Sequence, residues 1–335
     1  MTQPIQIGVI GTGGMGGRHA RNLAQHTVGS QVAAVMDTDQ SRVREIAEYC
    51  GGARIYSDAS ALIADPNVDA VVIASPDPTH AEFAIACIEA GKPTLCEKPL
   101  ATSLEEAQKI LYAEVTTGRR LVQVGFMREY DPAHRQIKDL LDQGDLGQPL
   151  YFRNVHNHAG ADIRDTTDVI VSSAVHDFHS GRWLMNSEIE SVYVQWVVSD
   201  AARPESCRYL CIQLTFANGA LGTLEIGTET GYGYEVYVEL TCRAGMMRSQ
   251  SISSPTILHD GIQIQTVDRE WLARFDTAYQ DEAQAWVQAI INQQATGPSV
   301  WDGYMSLLVA DACVRSAASG QPEKCQTVER PALYG

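Results

Sequence analysis

The chain has 335 residues, 44% of them hydrophobic, and a formal net charge of −16. This length suits about two globular domains. A chain this acidic lacks the basic face that binds nucleic acids and anionic membranes, and no apolar run approaches the roughly 20 residues of a membrane span. The N-terminus leads into a predicted strand and not into a signal segment, so we expect a cytoplasmic protein.

The first 125 residues alternate predicted strands with predicted helices. The strands are expected at residues 5–10, 31–36, 69–74, 93–96 and 120–125. Helices are expected at residues 42–50 and 79–90. A third helix is expected to begin at the capping box Ser103-Leu104-Glu105-Glu106 and to end near Gly118. Alternation of this kind predicts a doubly wound parallel sheet.

After about residue 150 predicted strands follow one another directly. They are expected at residues 191–198, 207–216, 220–228, 235–241 and 246–251. The turn Ala217-Asn218-Gly219-Ala220 joins two of them, and Asn-Gly is a strong hairpin signal. Two helices are expected to follow, at residues 275–294 and 301–319. Strands in succession predict antiparallel pairing, and hence an α+β second domain.

A glycine-rich turn follows the first predicted strand. Its residues are Gly11-Thr12-Gly13-Gly14-Met15-Gly16, and the next predicted helix begins there. In this context the backbone N–H groups of the turn can reach a pyrophosphate. Asp37 stands at the end of the second predicted strand, where a carboxylate binds the adenosine ribose hydroxyls. The alternative is an ordinary tight turn between a strand and a helix.

Two further segments fall at the same edge of the predicted sheet, where ligands of open α/β sheets bind. In Cys96-Glu97-Lys98-Pro99, the lysine can take or share a hydroxyl proton while hydride leaves the carbon. The segment Ser75-Pro76-Asp77-Pro78-Thr79-His80 is a stiff loop that can hold the adenine side of a dinucleotide. Taken alone, the first segment also fits a surface lysine before a turn proline, and the second also fits a loop without a binding role.

Histidines mark the second half of the chain. His176 and His179 share one face of a predicted helix, and histidine is suited to proton transfer near neutral pH. With His156 and His158 they raise the alternative of a zinc site. No carboxylate or cysteine at ligand spacing completes such a set, and the eight cysteines include no CxxC pair. We therefore expect no metal.

These segments, in this order, resemble the Gfo/Idh/MocA oxidoreductases over most of the chain. Within that family, Gln123-Val124-Gly125-Phe126-Met127-Arg128 and the stretch from His156 through Asp168 to His176 are similar to the inositol 2-dehydrogenases. The resemblance implies an NAD-binding Rossmann domain over residues 1–125. It also implies an α+β domain over residues 126–335, with a large open, mostly antiparallel sheet that binds substrate and forms a homotetramer.

The implied activity is the NAD-dependent oxidation of a secondary hydroxyl of a cyclic polyol, foremost myo- or scyllo-inositol, to the ketone. Lys98 would anchor the substrate hydroxyl and His176 would act as general acid and base. The implied cofactor residues are Gly11, Thr12, Gly13, Gly14, Met15, Gly16, Asp37, Ser75, Pro76, His80, Glu97, Lys98 and Met127. The implied substrate residues are Lys98, Met127, Arg128, His156, Asn157, Ser173, His176 and Tyr234, with Tyr232 as a rival for the last position.

The chain departs from the family pattern beside the implied base. Ser172 stands four residues before His176, where the family places an aspartate, so the imidazole loses a charged partner unless Asp168 or Asp177 replaces it. His179 stands where related chains usually carry Asp. These changes keep two alternatives open. One is a sugar or sugar-acid dehydrogenase, and the other is a non-catalytic regulatory protein that binds NAD.

Overall fold

The computed structural model describes residues 3–160, 163–249 and 256–335. Its strands are β1 (Ile5–Ile10), β2 (Ser30–Met36), β3 (Arg54–Tyr56), β4 (Ala70–Ile73), β5 (Thr94–Cys96), β6 (Val122–Val124), β7 (Pro149–Asn157), β8 (Arg164–Asp165), β9 (Ile189–Val197), β10 (Ser206–Cys207), β11 (Tyr209–Phe216), β12 (Leu221–Gly227), β13 (Glu235–Cys242), β14 (Gly245–Arg248), β15 (Ile257–His259), β16 (Ile262–Ile264) and β17 (Glu323–Lys324).

The α-helices are α1 (Gly14–Gln25), α2 (Gln40–Tyr49), α3 (Ala59–Ala64), α4 (His80–Glu89), α5 (Leu104–Thr117), α6 (Pro132–Gln143), the single turn α7 (Thr166–Asp168), α8 (Val175–Met185), α9 (Trp271–Ile291) and α10 (Val300–Ser319). A π-helical turn, Val169–Ala174, links α7 to α8. Among the described residues, no helix has both the length and the apolar character needed to cross a membrane.

The first six strands form one parallel sheet in the order β3-β2-β1-β4-β5-β6. This is the strand order of a dinucleotide-binding fold, in which ligands bind outside the carboxyl ends of the strands. All four residues of β4 are buried, as expected for an apolar strand covered on both faces. The predicted doubly wound sheet is therefore confirmed, although β3 and α3 were not anticipated.

Local sequence explains where α5 begins and ends. The hydroxyl of Ser103 accepts a hydrogen bond from the backbone N–H of Glu106 at 3.2 Å, which satisfies one free donor of the first turn. Gly118 ends the helix with a left-handed φ of 65°, which glycine adopts at little cost. The predicted cap at Ser103 and the helix end near Gly118 are confirmed, but the Glu106 carboxylate accepts from the N–H and hydroxyl of Thr102 and not from the N–H of Ser103, so the capping box is only half formed.

The second large sheet has seven strands in the order β14-β13-β7-β12-β11-β9-β17. All neighbours pair antiparallel except β7 and β12, so the predicted mostly antiparallel sheet is confirmed. The predicted hairpin joins β11 to β12, with Gly219 at a φ of 84°. The central strand β7 was not predicted. The end of the strand expected at 246–251 lies outside the described residues.

The chain forms two compact units. The first comprises Met1–Met127, Thr277–Leu307 and Glu329–Gly335, and the second comprises Arg128–Asp276 and Leu308–Val328. The domain division at residue 125 stays a prediction; in the structure, most of α9 groups with the first 127 residues. Ala283, Trp286 and Val287 of α9 belong to the buried core of the parallel sheet. No local sequence signal shows that a helix so distant along the chain completes this core.

Candidate active site

The glycine-rich turn between β1 and α1 is built so closely that two of its glycines cannot be replaced. Gly11 has a φ of 87°, and a Cβ atom there would lie 2.5 Å from the carbonyl oxygen of Ala74. A Cβ on Gly16 would lie 1.8 Å from the carbonyl oxygen of Gly11. Gly13 and Gly14 instead face open space. The turn is therefore tightly packed at Gly11 and Gly16, and it is open at Gly13 and Gly14, where α1 begins.

A cleft of about 400 Å³ opens in front of this turn. Nine of the predicted cofactor residues line it: Gly11, Gly13, Met15, Asp37, Ser75, Pro76, His80, Glu97 and Lys98. Thr12, Gly14 and Gly16 belong to the turn itself, and Met127 is buried after β6. The cleft also contains Thr38 and Arg42, which sequence analysis did not select.

Asp37 directly follows β2, and its carboxylate is held in place by four donors. Oδ2 accepts from the backbone N–H and the hydroxyl of Thr12 at 2.7 and 2.9 Å. Oδ1 accepts from the N–H of Asp39 at 2.8 Å and from Arg42 at 3.2 Å. Burial raises the pKa of Asp37, but these hydrogen bonds outweigh it and lower the pKa to about 2. A fixed negative charge therefore faces the cleft.

Lys98 lies just past β5, beside a buried ion pair. Nε2 of His19 is 2.7 Å from Oε1 of Glu97, and the backbone N–H of Lys98 donates to Oε2 at 3.1 Å. Burial acts to raise the pKa of Glu97, but the hydrogen bond and charge of His19 hold it below its ordinary value. The Lys98–Pro99 peptide is cis. His19 of α1 thus fixes the residue before Lys98.

The second unit contains a buried polar network centred on Asp177. Arg128 and Asp177 form an ion pair, with side chains 1% and 0% exposed. Asn154 donates to the same carboxylate at 2.9 Å, and Nδ1 of His156 lies 3.0 Å from its other oxygen. Burial alone would raise the pKa of Asp177, but Arg128 and His156 lower it to about 2. The carboxylate therefore holds both predicted substrate residues, Arg128 and His156, in fixed orientations.

His156 extends this network to a tyrosine. Because its Nδ1 donates to Asp177, its Nε2 accepts from the hydroxyl of Tyr234 at 3.2 Å. Burial lowers the pKa of His156, which favours the neutral ring. Tyr234 is buried, whereas the rival Tyr232 is half exposed and receives a hydrogen bond from Asn157 at 2.7 Å. Of the two tyrosines, Tyr234 is the one that joins the network.

Ser172 and Ser173 lie in the π-helical turn, and both contact Arg164. The guanidinium donates to the hydroxyl of Ser172 and, at 2.9 Å, to that of Ser173. It also contacts the carboxylate of Asp168 at 2.7 Å. Asp168 therefore pairs with Arg164 and Asp177 with Arg128, so the two carboxylates proposed as replacements at position 172 are both engaged by arginines.

His176 and His179 both lie on α8, as predicted, and both are buried. Nε2 of His179 is 2.9 Å from the carboxylate of Glu129. His176 belongs to the second unit, whereas Lys98 belongs to the first. Within the described parts of the chain, no three histidine, cysteine, aspartate or glutamate side chains are grouped as metal ligands would be.

Comparison with known families matches both halves of the chain. The model for an oxidoreductase family with an NAD-binding Rossmann fold matches residues 5–126. The model for the C-terminal α/β domain of the same family matches residues 138–325. The chain belongs to the Gfo/Idh/MocA oxidoreductase family. The parallel sheet and the seven-stranded sheet are accordingly the two domains of this family.

Among family members, the inositol 2-dehydrogenase of Rubrobacter xylanophilus is 44% identical over 99% of this chain and 96% of its own length. Inositol 2-dehydrogenase 2 of Saccharopolyspora erythraea is 42% identical over 98% of both chains. The crystal structure of myo-inositol dehydrogenase from Lactobacillus casei in complex with NAD(H) and myo-inositol matches with a TM-score of 0.94 and 29% identity. That match covers 99% of this chain and 100% of the other.

Several polar residues of this Gfo/Idh/MocA chain escaped sequence analysis. Arg42 lies on α2, five residues after Asp37, and no sequence pattern indicates that its guanidinium reaches the Asp37 carboxylate. Asn154 has none either, because its neighbours Arg153 and His156 make β7 resemble a polar loop, although residues 154–157 are all buried in the structure. His19 follows the glycine-rich turn, but nothing near it in sequence indicates its partner Glu97.

Proposed function

We propose that this chain oxidises one secondary hydroxyl of inositol to the ketone, with NAD as the hydride acceptor. The observation that carries the proposal is one cleft that combines the glycine turn, ionised Asp37 and Lys98. This cleft lies in a chain whose relatives are named inositol 2-dehydrogenases. The residues suit a dinucleotide, since the space beside Gly13 and Gly14 at the start of α1 is open to a pyrophosphate and Asp37 offers a carboxylate for ribose hydroxyls.

Asp37 favours NAD over NADP. A carboxylate with a pKa of about 2 is ionised throughout the working range of pH and repels a 2′-phosphate. Arg42 softens this repulsion, because its guanidinium is half exposed and lies 3.2 Å from Asp37. We therefore expect a strong preference for NAD with some residual use of NADP.

The reaction separates a hydride from a proton. When bound, NAD+ supplies the acceptor for the hydride that leaves the carbinol carbon. Lys98 would hold the substrate hydroxyl, and His176 would take its proton as the C–H bond breaks. Ser172 supplies no negative charge, so the imidazolium formed on His176 gains less stabilisation than it would beside a carboxylate. This predicts a weaker base, whose activity extends to lower pH than that of an aspartate-supported histidine.

The Asp177 network is suited to hold a polyol. Asp177 holds Arg128 and His156, and His156 holds the hydroxyl of Tyr234, before any substrate arrives. Preorganised donors and acceptors of this kind select one arrangement of hydroxyl groups, because a misplaced hydroxyl leaves a buried polar group without its hydrogen bond. We assign substrate binding to this network, together with Asn157 and Ser173.

We further propose that the protein is a cytoplasmic homotetramer. All eight cysteines lie among the described residues and are free thiols, which suits a reducing compartment. The seven-stranded sheet exposes large side chains, including Leu221 at 53% and Met246 at 58%, and this face suits contact with further copies. Light scattering after gel filtration tests the expected tetramer, and a monomer would contradict it.

A panel of polyols and sugars tests the function. Purified protein is supplied with NAD or NADP and with myo-inositol, scyllo-inositol, glucose or a sugar acid, and NADH or NADPH formation is followed by absorbance. The proposal expects the fastest turnover with an inositol and NAD. Turnover of only the sugar acid favours the alternative dehydrogenase, and tight NAD binding without turnover of any compound favours a regulatory protein.

Matched variants test the two assigned residues. Lys98→Met and His176→Asn each remove the group proposed to hold or move the proton, and we expect kcat to fall by about 10²- to 10⁴-fold. NAD binding, measured by fluorescence, should persist in His176→Asn, because that residue lies outside the cofactor cleft of the first unit. Full activity in either variant would contradict its assignment.

A further inference from the structure

His80 has a hydrogen-bonding arrangement that one neutral imidazole cannot satisfy. The side chain opens α4, is 1% exposed and lines the cofactor cleft. Its Nδ1 lies 2.7 Å from the carbonyl oxygen of Pro99, and its Nε2 lies 2.9 Å from the carbonyl oxygen of Ser75. Both distances are those of well-formed hydrogen bonds.

Both partners of His80 are acceptors only. A backbone carbonyl oxygen carries lone pairs and no hydrogen, so each ring nitrogen must donate. A neutral imidazole has one N–H and can serve one carbonyl, whereas the imidazolium has two and serves both. The geometry therefore specifies the cationic form of His80.

We propose that His80, as an imidazolium, is a positioning residue that ties the Ser75 loop to Pro99 and thereby sets the direction of Lys98. The other side of Lys98 is held as well, because Glu97 contacts both His19 and the Lys98 backbone. Lys98 thus stands between two residues that buried histidines fix. His80 acts through the backbone and does not need to touch the reacting atoms. The consequence for catalysis rests on the proposed role of Lys98.

The loop at the other end of this tie is itself stiff. The hydroxyls of Ser75 and Thr79 lie 2.6 Å apart, and the Thr79 hydroxyl donates to the carbonyl of Pro76 at 2.8 Å. A rigid loop transmits the position of α4 to the segment that follows β5. Loss of one hydrogen bond from His80 would therefore allow the backbone at Lys98 to shift. A misplacement of a catalytic group by about 1 Å reduces the rate by up to about 100-fold.

Charged groups of several elements share the cleft with His80. They are Asp77 on the preceding turn, Glu97 and Lys98 after β5, and Asp37 and Arg42 on the far side. Glu97 is engaged by His19, and Asp37 by Thr12 and Arg42. Asp77, Glu97 and Asp37 thus bring carboxylates to the cleft from three separate segments, and this setting favours a cationic imidazole at His80.

Nitrogen NMR of the unliganded protein tests the protonation state directly. Protein labelled with ¹⁵N in its histidine rings is measured near pH 7, and the His80 signals are assigned by their absence in His80→Phe. We expect both ring nitrogens of His80 to show the shifts of protonated nitrogen. One protonated and one bare nitrogen would overturn the proposal, whether or not the protein proves to be a dehydrogenase.

The positioning role is tested by the pH dependence of a ratio. The kcat of wild type is divided by that of His80→Phe at each pH, which cancels titrations of Lys98 and His176 common to both proteins. We expect a ratio of about ten or more at low pH that shrinks as pH rises, because wild type then loses one contact too. A ratio that is constant with pH would mean that the ring only fills space.

Two further variants complete this experiment. His80→Gln keeps an amide donor for one carbonyl, so its kcat should lie between those of wild type and His80→Phe. His26→Gln makes the same change at an exposed histidine that ends α1, and it should behave as wild type. If His80→Gln and His80→Phe are equally impaired at every pH, the hydrogen bonds are not what positions Lys98.

Discussion

Removal of the charge at Asp177 tests the buried network most severely. In Asp177→Asn the amide keeps the shape of the side chain, but Arg128, which is 1% exposed, loses its counterion. Breaking a buried ion pair from one side costs about 3–5 kcal/mol. Because an asparagine oxygen still accepts one hydrogen bond, we expect the free energy of unfolding to fall by about 3 kcal/mol.

The pKa of Asp177 gives a second estimate of the same quantity. Its pKa lies at about 2 in the folded protein against an ordinary value of 3.8. A difference of that size favours folding by about 2 kcal/mol at neutral pH. Since the folded pKa is the lower one, this stabilisation is present above about pH 4 and is lost as the pH falls toward 2. In Asp177→Asn, the free energy of unfolding should therefore lack this part of its decrease at acidic pH.

Urea unfolding followed by tryptophan fluorescence measures both effects at fixed protein concentration, from pH 7 down to pH 3. The matched control is Asp168→Asn, because Asp168 is 54% exposed and pairs with Arg164 near the surface. Its loss should cost less than about 1 kcal/mol. If Asp177→Asn unfolds within about 1 kcal/mol of wild type and keeps the same acid limb, the network does not hold this part of the fold together.

Four further substitutions test the cofactor cleft and the serine at position 172. Asp37→Ala should reduce the preference for NAD over NADP by about tenfold or more, and unchanged discrimination would remove Asp37 from the ribose site. Gly16→Ala should destabilise the protein, because its Cβ would lie 1.8 Å from the carbonyl oxygen of Gly11. Gly13→Ala should fold normally and weaken only NAD binding, because a Cβ there meets open space. Equal melting temperatures of these two variants would contradict this account of the turn. Ser172→Asp should move the acidic limb of the kcat profile to higher pH, because a carboxylate four residues before His176 stabilises its protonated form, and an unmoved profile would separate Ser172 from the base.

Local pattern predicted the elements that carry the cofactor cleft. The unbroken apolar run of β4, the capping box at Ser103 and the glycines after β1 each depend on neighbours in sequence, so the parallel sheet could be anticipated. Strand β7 could not, because Arg153, Asn154 and His156 make it look like a polar loop. Its polar side chains are buried only because Asp177 and Arg128 meet them, and that pairing joins distant parts of the chain.

The same limit applies to the site residues. Position in the sequence selected Asp37 and Lys98, since both follow strands whose ends meet at one edge of the sheet. It did not indicate that His19 holds Glu97, that Arg42 flanks Asp37 or that Arg164 engages Ser172. Each of these contacts depends on how separate elements pack, and a carboxylate or hydroxyl in a sequence does not reveal which cation reaches it.

Transfer of deuterium tests the central claim most directly. myo-Inositol carrying deuterium on the carbinol carbon at position 2 is incubated with the protein and NAD, and the nicotinamide product is examined by mass spectrometry and NMR. We predict that one deuterium appears at C4 of the dihydronicotinamide ring and that kcat falls relative to unlabelled inositol. Formation of NADH without deuterium, or no NADH from any inositol, would contradict hydride transfer from this carbon and with it the proposed function.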